Sequence, residues 1–173
     1  MLVDEQDHPL GEAPKLSVHR GEGRLHRAFS VLVFDPAGRV LMQRRSPVKY
    51  HFAGRWANSC CGHPRPGEDT VAAGARRATE ELGLELDLRA VTKFTYSAYD
   101  AETGLVEREI DHVLVGKTDR EPTLNLLEAD AYRWVTPQDI DTELAATPDA
   151  FAPWFASVWQ NYKAAVTQGA GHL

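Results

Sequence analysis

The stretch at residues 58–83 reads N-S-C-C-G-H-P-R-P-G-E-D-T-V-A-A-G-A-R-R-A-T-E-E-L-G and carries the strongest indication of the fold. Its first part places two cysteines, Cys60 and Cys61, directly before Gly62 and His63. Its second part spaces glycine and carboxylate residues along a predicted helix. The stretch therefore joins a thiol, a histidine of the kind that binds metals, and a helix suited to phosphate groups.

Read from Gly62, the spacing is G-x5-E-x7-R-R-A-T-E-E-L-G-L. It resembles the Nudix box, G-x5-E-x7-R-E-U-x-E-E-x-G-U with U a bulky aliphatic residue, with one charge reversal at Arg77, where the box has glutamate. On a period of about 3.6 residues, Arg76, Glu80 and Glu81 lie within one turn of each other. Grouped carboxylates hold a hard cation, which bridges to diphosphate oxygens. The alternative is a solvated surface helix with ion pairs.

The same helix has an apolar stripe, which we expect to pack on a sheet while the charged edge stays accessible. The stripe consists of Val71, Ala72, Ala75, Ala78 and Leu82.

Composition predicts one domain over residues 1–173, because this length with 43% hydrophobic residues can bury a core. The segment 1–22 is polar, and we expect partly mobile loops with one short edge strand; residues 167–173 should form a frayed tail. The two adjacent cysteines cannot build a disulfide framework, and the chain has no apolar signal or anchor segment. These features predict a reduced, cytoplasmic protein without membrane contact.

The formal charge of −6 argues against a nucleic-acid partner, since phosphate backbones are bound by broad basic surfaces. Some cations are nevertheless clustered in the sequence. Arg44, Arg45 and Lys49 lie upstream of the cysteines, and Lys15 and Arg77 can join them. A basic pocket on an acidic protein indicates a small anionic ligand.

Hydrophobic periodicity predicts a mixed sheet covered by helices on two faces, an α/β/α sandwich of the α/β class. A turn at 35–38 should join strands 24–34 and 40–44 in a hairpin. Further strands are predicted at 84–89, 94–99, 105–115 and 132–135. One helix should open at Thr136 and Pro137, and a last helix should cover about 149–165.

Glu107 and Glu109 are two residues apart in a predicted strand, so both carboxylates point to one face. A solvated strand face is the alternative. His19, His26 and His63 each lie beside a predicted site element, although single histidines are usually structural. Together the three imidazoles and two carboxylates form a plausible octahedral N3O2 set for Zn²⁺, Mn²⁺ or Mg²⁺.

Several separate segments together resemble type 1 isopentenyl-diphosphate isomerase, a family similar to Nudix proteins in fold. The resemblance covers residues 15–159, and its most specific part is W-A-N-S-C-C-G-H-P at 56–64. The other matching features are His19 and His26, Arg44 and Arg45 with Lys49, Glu81, Glu107 with Glu109, and A-P-W at 152–154. The departures are Ala57 in place of threonine, a longer loop after Tyr96, and a shortened first strand.

The resemblance implies that the chain converts isopentenyl diphosphate to dimethylallyl diphosphate. Cys61 would be the catalytic thiol that removes a proton, and Glu109, assisted by Tyr96, would deliver one. One divalent metal (Mn, Zn or Mg) would be held by His19, His26, His63, Glu107 and Glu109. Glu81 would hold a Mg²⁺ that arrives with the diphosphate. The diphosphate would contact Lys15, Arg45, Lys49 and Arg77.

Trp154 matches an aromatic position around the hydrocarbon tail, where its ring face could stabilise a cation. It also fits the apolar face of the last predicted helix, so core packing is a second interpretation. The expected partner is a small diphosphate, and a monomer is the simplest assembly.

Two other functions fit parts of the pattern. A Nudix pyrophosphohydrolase would use a metal-activated water, but Arg77 breaks its box and Cys61 would have no use. A zinc-stabilised binding module without turnover would use Cys61, His63 and His19 as structural ligands.

Overall fold

A computed structural model describes residues 1–49, 51–101 and 103–169, with the backbone alone for Lys15 and Leu16. Among these residues the strands are β1 (Leu2–Val3), β2 (Pro9–Gly11), β3 (His26–Phe34), β4 (Val40–Arg45), β5 (Trp56–Ala57), β6 (Cys60–Gly62), β7 (Arg89–Asp100), β8 (Leu105–Lys117) and β9 (Ala129–Val135). The helices are α1 (Lys15–Val18), α2 (Thr70–Leu82), α3 (Pro137–Ala146) and α4 (Phe155–Thr167), with a short 3-10 helix at Pro148–Ala150.

The sheet is mixed. β3 runs parallel to β8 from His26↔Glu109 to Phe34↔Lys117, while β7 is antiparallel to β8 and β9 is antiparallel to β4. β3 and β4 pair at Phe34↔Val40, beside their turn, and the pairing then passes to β6 on β3 and to β5 on β4. The two central strands therefore diverge, and the segment carrying the cysteines fills the gap between them.

Each face of the sheet carries a helix. Val31 and Val33 of β3 pack in one core with Ala78 of α2, whereas Leu32 of β3 packs in a second core with Phe155 of α4. Alternation of side chains along a strand explains how one strand serves both cores. The predicted α/β class, with a mixed sheet and helices on two faces, is confirmed.

The first predicted hairpin is also confirmed. Asp35 closes its turn, because its Oδ1 accepts the backbone N–H of Arg39 at 2.8 Å and its carbonyl accepts the N–H of Gly38 at 3.0 Å. The hairpin of β7 and β8 lies where residues 94–99 and 105–115 were predicted, although both strands are longer. Helix α3 begins as expected, with Thr136 Oγ1 accepting the N–H of Asp139 at 3.2 Å.

Helix α2 is rotated relative to the predicted stripe. Its fully buried face consists of Thr70, Ala73, Gly74, Ala78, Glu81 and Leu82. Val71 and Ala75 of the predicted stripe pack partly buried at the edge of this face, whereas Ala72 is exposed and was wrongly assigned. Gly74 explains the rotation, because a Cβ there would lie 2.5 Å from Cδ1 of Leu114 in β8. The helix packs closest to the sheet at the residue that has no side chain.

The strand predicted at 84–89 is wrong. Gly83 ends α2 in the left-handed conformation with φ of 65°, and β7 begins only at Arg89. The backbone groups of Leu84 bond to the end of α2: its N–H reaches Ala78 O at 3.4 Å, and Thr79 Oγ1 donates to its carbonyl at 3.1 Å. The alternating leucines reflect burial beside the helix and not strand pairing.

The last helix begins at Phe155, later than the predicted start near 149. Phe151 forms an isolated bridge with Trp56, and the N–H of Ala152 donates to Trp56 O at 2.8 Å. Pro153 follows and disfavours a helical conformation at the residue before it. Because this short segment is attached to β5, Trp154 projects from the start of α4 toward the gap in the sheet.

The first 22 residues have more regular structure than the predicted loops and single strand. β1 pairs with β2 and with β3, and α1 follows. Asp7 attaches this segment to the sheet, with Oδ1 at 2.7 Å from Arg27 Nε and Oδ2 at 2.9 Å from Lys93 Nζ and 2.8 Å from His112 Nε2. The predicted tail overlaps the end of α4, and residues 170–173 lie outside the described residues.

No helix in the described parts of the chain has both the length and the apolar composition that a membrane crossing requires.

Candidate active site

A cavity of about 380 Å³ lies where β3 and β4 diverge. Its walls come from β3, β4, β6, β8 and α2, together with Trp154. Four of the predicted site residues line it from opposite faces of the sheet. Glu81 and Arg77 come from α2, and Glu107 and Glu109 come from β8. The gap in the sheet is what allows these two groups to meet in one space.

Three histidines meet at one end of the cavity. His26 Nε2 lies 3.1 Å from His63 Nε2, and the ring centroids of His19 and His26 are 4.9 Å apart. Ligand atoms of His19, His26, His63 and Glu107 all lie within 4.8 Å of one another. Glu109 Oε1 is 2.8 Å from His63 Nε2 and 3.3 Å from His26 Nε2. The structure thus brings all five predicted ligands together; their role as ligands stays a prediction.

Two of these imidazoles are oriented by backbone carbonyls. Nδ1 of His26 lies 2.8 Å from Arg24 O, and Nδ1 of His19 lies 3.3 Å from Val106 O. A carbonyl can only accept, so Nδ1 carries the proton and Nε2 of the neutral ring keeps its lone pair. His19 Nε2 is buried with no hydrogen-bond partner among the described residues. An orphaned buried nitrogen beside two carboxylates fits a divalent cation.

Glu109 is held as a carboxylate. Burial alone would raise its pKa, but the hydrogen bonds and charges of His26 and His63 outweigh burial and hold the pKa well below its usual range. The pKa of His19 is raised. Burial alone would lower this pKa, but the hydrogen bond and the charge of Glu107 outweigh burial. The histidines therefore keep Glu109 in the ionised form that a cation binds.

The two cysteines face opposite sides of β6, which pairs with β3 at Ser30↔Cys61 and Val31↔Cys60. Cys60 is fully buried in the core under α2, whereas Cys61 is half-buried and lines the cavity. Burial raises the pKa of the Cys61 thiol to about 12, with Arg45 opposing the shift and nearby carboxylates adding to it. The protein groups alone therefore keep Cys61 protonated.

Three of the predicted anion-contacting cations, Arg45, Lys49 and Arg77, line the same cavity. Arg45 is 5% exposed, and its guanidinium lies 5.1 Å from the ring centroid of Trp154. Arg77 contacts Glu81 and lies 3.2 Å from Glu128, and Lys49 contacts Glu128. Lys15 lies in α1, but its side chain is outside the described part of the chain. Its contact with the diphosphate therefore stays a prediction.

The two predicted aromatic residues differ. Trp154 lines the cavity while its Nε1 donates to the buried Asn58 Oδ1 at 3.1 Å, so both of its interpretations hold: it packs in the core and forms a wall. Tyr96 pairs across the strands with Glu109, but its hydroxyl is buried without a hydrogen-bond partner among the described residues. Burial, and then Glu109, raise the pKa of Tyr96, so it is a neutral phenol.

Sequence reasoning missed several residues of the cavity wall. Asp111 continues the alternation of Glu107 and Glu109, and its Oδ2 accepts the hydroxyl of Ser30 at 2.7 Å. That residue could have been found, since it follows the same period of two along β8. Gln43, which donates to Glu81 at 3.2 Å, and Glu128 could not, because no local pattern relates them to the site.

Comparison with known proteins agrees with this geometry. A profile of the NUDIX domain matches residues 24–155. A crystal structure of a Deinococcus radiodurans protein superposes with a TM-score of 0.74 at 25% identity, covering 93% of this chain and 97% of that chain. A MutT protein from Methanosarcina mazei Go1 has a TM-score of 0.65 at 21% identity over 79% of this chain and 91% of that chain, which shows the fold alone. The chain is a NUDIX-domain protein.

Curated relatives narrow this class. An isopentenyl-diphosphate Delta-isomerase from Nocardia farcinica is 49% identical over 170 residues, which are 98% of this chain and 97% of the relative. Another from Halorhodospira halophila is 43% identical over 161 residues, 92% of each protein. The chain belongs to the isopentenyl-diphosphate Delta-isomerase family.

Proposed function

We propose that this protein isomerises isopentenyl diphosphate to dimethylallyl diphosphate. The observation that carries the proposal is that Cys61 and Glu109 line one cavity together with Arg45, Lys49 and Arg77. A thiol and a carboxylate can exchange protons with a short hydrocarbon, while the cations bind an anion attached to it. The cavity size suits a five-carbon diphosphate, and the names of the relatives specify the same substrate.

The reaction adds one proton to the terminal methylene, which produces positive charge at the neighbouring tertiary carbon, and removes one proton from the chain carbon on the other side of that tertiary carbon. The double bond thereby moves by one position. Two proton-transfer groups on opposite sides of the carbon chain are therefore needed. We assign the donor role to Glu109 and the acceptor role to Cys61, with Tyr96 beside Glu109. The pair holds one proton in total. After a forward turnover it lies on Cys61, which agrees with the structure, because burial keeps Cys61 protonated while His26 and His63 keep Glu109 ionised.

The catalytic cycle must restore the starting protonation state. The predicted roles require the proton to return from Cys61 to Glu109 before the next substrate reacts. Asp111 is buried on β8 on the same strand face as Glu109, and its Oδ1 has no hydrogen-bond partner within the described part of the chain. If the thiol instead delivers the proton, the two roles are exchanged, and the proton must return from Glu109 to Cys61. The two assignments place the new proton on opposite faces of the alkene. A substrate with one deuterium at a known position on its terminal methylene, turned over in tritiated water, gives a chiral methyl group whose configuration identifies that face.

The intermediate must be protected from water. Protonation of the alkene produces positive charge at a tertiary carbon, which water would trap. Trp154, 6% exposed, offers an aromatic wall, and a cation on such a face gains on the order of 2 kcal/mol when desolvated. The buried bond from its Nε1 to Asn58 fixes the ring plane.

The His/Glu cluster would hold one divalent cation through His19, His26, His63, Glu107 and Glu109. Such an ion would fix the position of Glu109 and adjust the acidity of its carboxyl group. Mn²⁺, Zn²⁺ and Mg²⁺ all accept this nitrogen and oxygen set. Glu81, 3% exposed beside the three cations, would hold a Mg²⁺ that arrives with the diphosphate.

One experiment tests the function. Purified protein is incubated with isopentenyl diphosphate and divalent cations, and the product is read by proton NMR. Formation of dimethylallyl diphosphate supports the proposal. Release of inorganic phosphate would instead identify a pyrophosphohydrolase, and bound metal without turnover would identify a binding module.

A further inference from the structure

The inference concerns Glu128, which the Nudix-like spacing does not include. Its backbone is anchored on both sides: the N–H of Ser46 donates to Glu128 O at 2.9 Å, and the N–H of Glu128 donates to Asn125 O at 2.8 Å. Asn125 in turn donates to Glu81 O, near the end of α2, at 2.8 Å. The residue is thus held between β4 and α2, beside the cations that line the cavity.

The carboxylate of Glu128 divides its two oxygens between two cations. Oε2 accepts from Lys49 Nζ, and Oε1 lies 3.2 Å from Arg77 Nη2. All three side chains line the cavity. Burial would raise the pKa of Glu128, but Lys49 and Arg77 outweigh burial and lower it, so the group is anionic.

This arrangement differs from an ordinary surface ion pair. Asp130, two residues further along, pairs with Arg44 at 2.8 Å on an exposed part of β4 and does not line the cavity. Glu128 instead uses the cations that we assign to the diphosphate. A diphosphate that contacts Lys49 and Arg77 must take over the interactions that Glu128 now satisfies.

The geometry points to Glu128 as an internal counter-anion that competes with the diphosphate for Lys49 and Arg77. The inference rests on the proposed function, since it deepens the role of the same subsite. It also explains how the cavity holds neighbouring cations without ligand, because an unpaired buried cation is costly and a carboxylate offsets that cost.

The competition has a kinetic purpose. Substrate and product carry the same diphosphate, so tight binding of this group stabilises both equally and does not accelerate the proton transfers. An internal anion that weakens this uniform binding allows the product to leave. Glu128 is therefore a positioning residue that sets affinity, and it does not touch the reacting carbons.

The test is Glu128→Gln, which keeps the shape and removes the charge. Binding of inorganic pyrophosphate with Mg²⁺ is measured by calorimetry, and KM and kcat by product NMR. We expect the Kd for pyrophosphate to fall by about three- to tenfold, since one negative charge is removed beside a polyanion. KM should fall by a similar factor, while kcat stays unchanged or falls.

Asp130→Asn is the matched control, because it removes a carboxylate from a nearby ion pair outside the cavity; its Kd should stay within about twofold of wild type. Unchanged or weaker pyrophosphate binding by a folded Glu128→Gln protein overturns the inference. If that variant does not fold, Glu128→Ala replaces it under the same criteria. If the wild-type protein neither binds pyrophosphate nor isomerises the substrate, the proposed function is contradicted. If the wild-type protein does both and Glu128→Gln has the same pyrophosphate Kd, only the role of Glu128 as a counter-anion is contradicted.

Discussion

Replacement of each cysteine by alanine tests the assignment of the catalytic thiol, because the neighbours Cys60 and Cys61 face different environments. Cys60 is 0% exposed and packs under α2 with Ala73 and Leu82, whereas Cys61 lines the cavity. The same chemical change should therefore act on folding at one position and on catalysis at the other.

The size of each effect follows from these positions. Cys60→Ala removes one fully buried sulfur and leaves a small void, which should cost about 1 to 2 kcal/mol of unfolding free energy. In a chain of this length, that lowers Tm by roughly 2 to 8 °C. Cys61→Ala removes a proton-transfer group, so kcat should fall about 10²- to 10⁴-fold. This loss corresponds to roughly 3 to 5 kcal/mol in the activation barrier.

Product NMR gives kcat for both variants, thermal unfolding gives Tm, and calorimetry with pyrophosphate confirms that anion binding by the cavity is intact. Cys60→Ala should keep most of its turnover and lose stability; Cys61→Ala should show the reverse. Comparable turnover losses in the two variants, or a Cys61→Ala protein within about tenfold of wild type, would refute the assignment of Cys61.

Three further predictions follow from the site and the fold. Glu109→Gln should lower kcat by about 10²-fold or more while pyrophosphate Kd changes little, since the amide keeps the shape but cannot transfer the proton; a near-normal rate would remove Glu109 from the proton transfers. Arg77→Glu should raise KM at least about tenfold, because it places a third carboxylate beside Glu81 and Glu128; an unchanged KM would make Arg77 a surface residue. Asp7→Asn should cost about 3 kcal/mol of unfolding free energy, because it leaves Arg27, Lys93 and His112 without their anion, while asparagine tolerates the φ of 72° at this position. Burial would raise the pKa of Asp7, but its partners outweigh burial and lower the pKa below 3.8. The stabilisation by Asp7 is therefore complete above about pH 4 and is lost as pH falls further. If the difference in unfolding free energy between wild type and Asp7→Asn does not shrink in acid, this reasoning is contradicted.

The parts of the site that could be predicted from sequence depend on local periodicity. Glu107 and Glu109 share a face because side chains alternate along a strand, and β8 does present both to the histidines. The resemblance to the isomerase family implied that Cys61 is the functional cysteine. Strand alternation alone predicts only that Cys60 and Cys61 point in opposite directions on β6.

The parts that could not be predicted depend on long-range packing. The buried face of α2 is determined by where Gly74 meets Leu114, and no property of the helix sequence alone reveals that contact. Glu128 reaches Lys49 only because the preceding loop bonds to the end of α2. Asp7 likewise contacts three strands that lie 20 to 105 residues away in sequence. The predicted monomeric, cytoplasmic state stays a prediction.

Arg77, the charge reversal in the Nudix-like spacing, connects the local sequence pattern with the long-range packing. A glutamate in the Nudix box would stand beside Glu81 and Glu128, and three neighbouring carboxylates would favour a cluster of metal ions. Arginine at this position contacts both carboxylates instead and turns the same helix edge into a site that holds an anion. A hydrolase would activate water with metal ions at this edge, and the arginine weakens the binding of those ions. Glu81 is still available to one cation. The proton transfers that we propose for Cys61 and Glu109 would then take place on the other face of the sheet, because the divergence of β3 and β4 joins the two faces in one cavity. We therefore expect isomerisation in this fold to need both the charge reversal at Arg77, which binds the anion, and the gap in the sheet, which brings that anion into one cavity with Cys61 and Glu109.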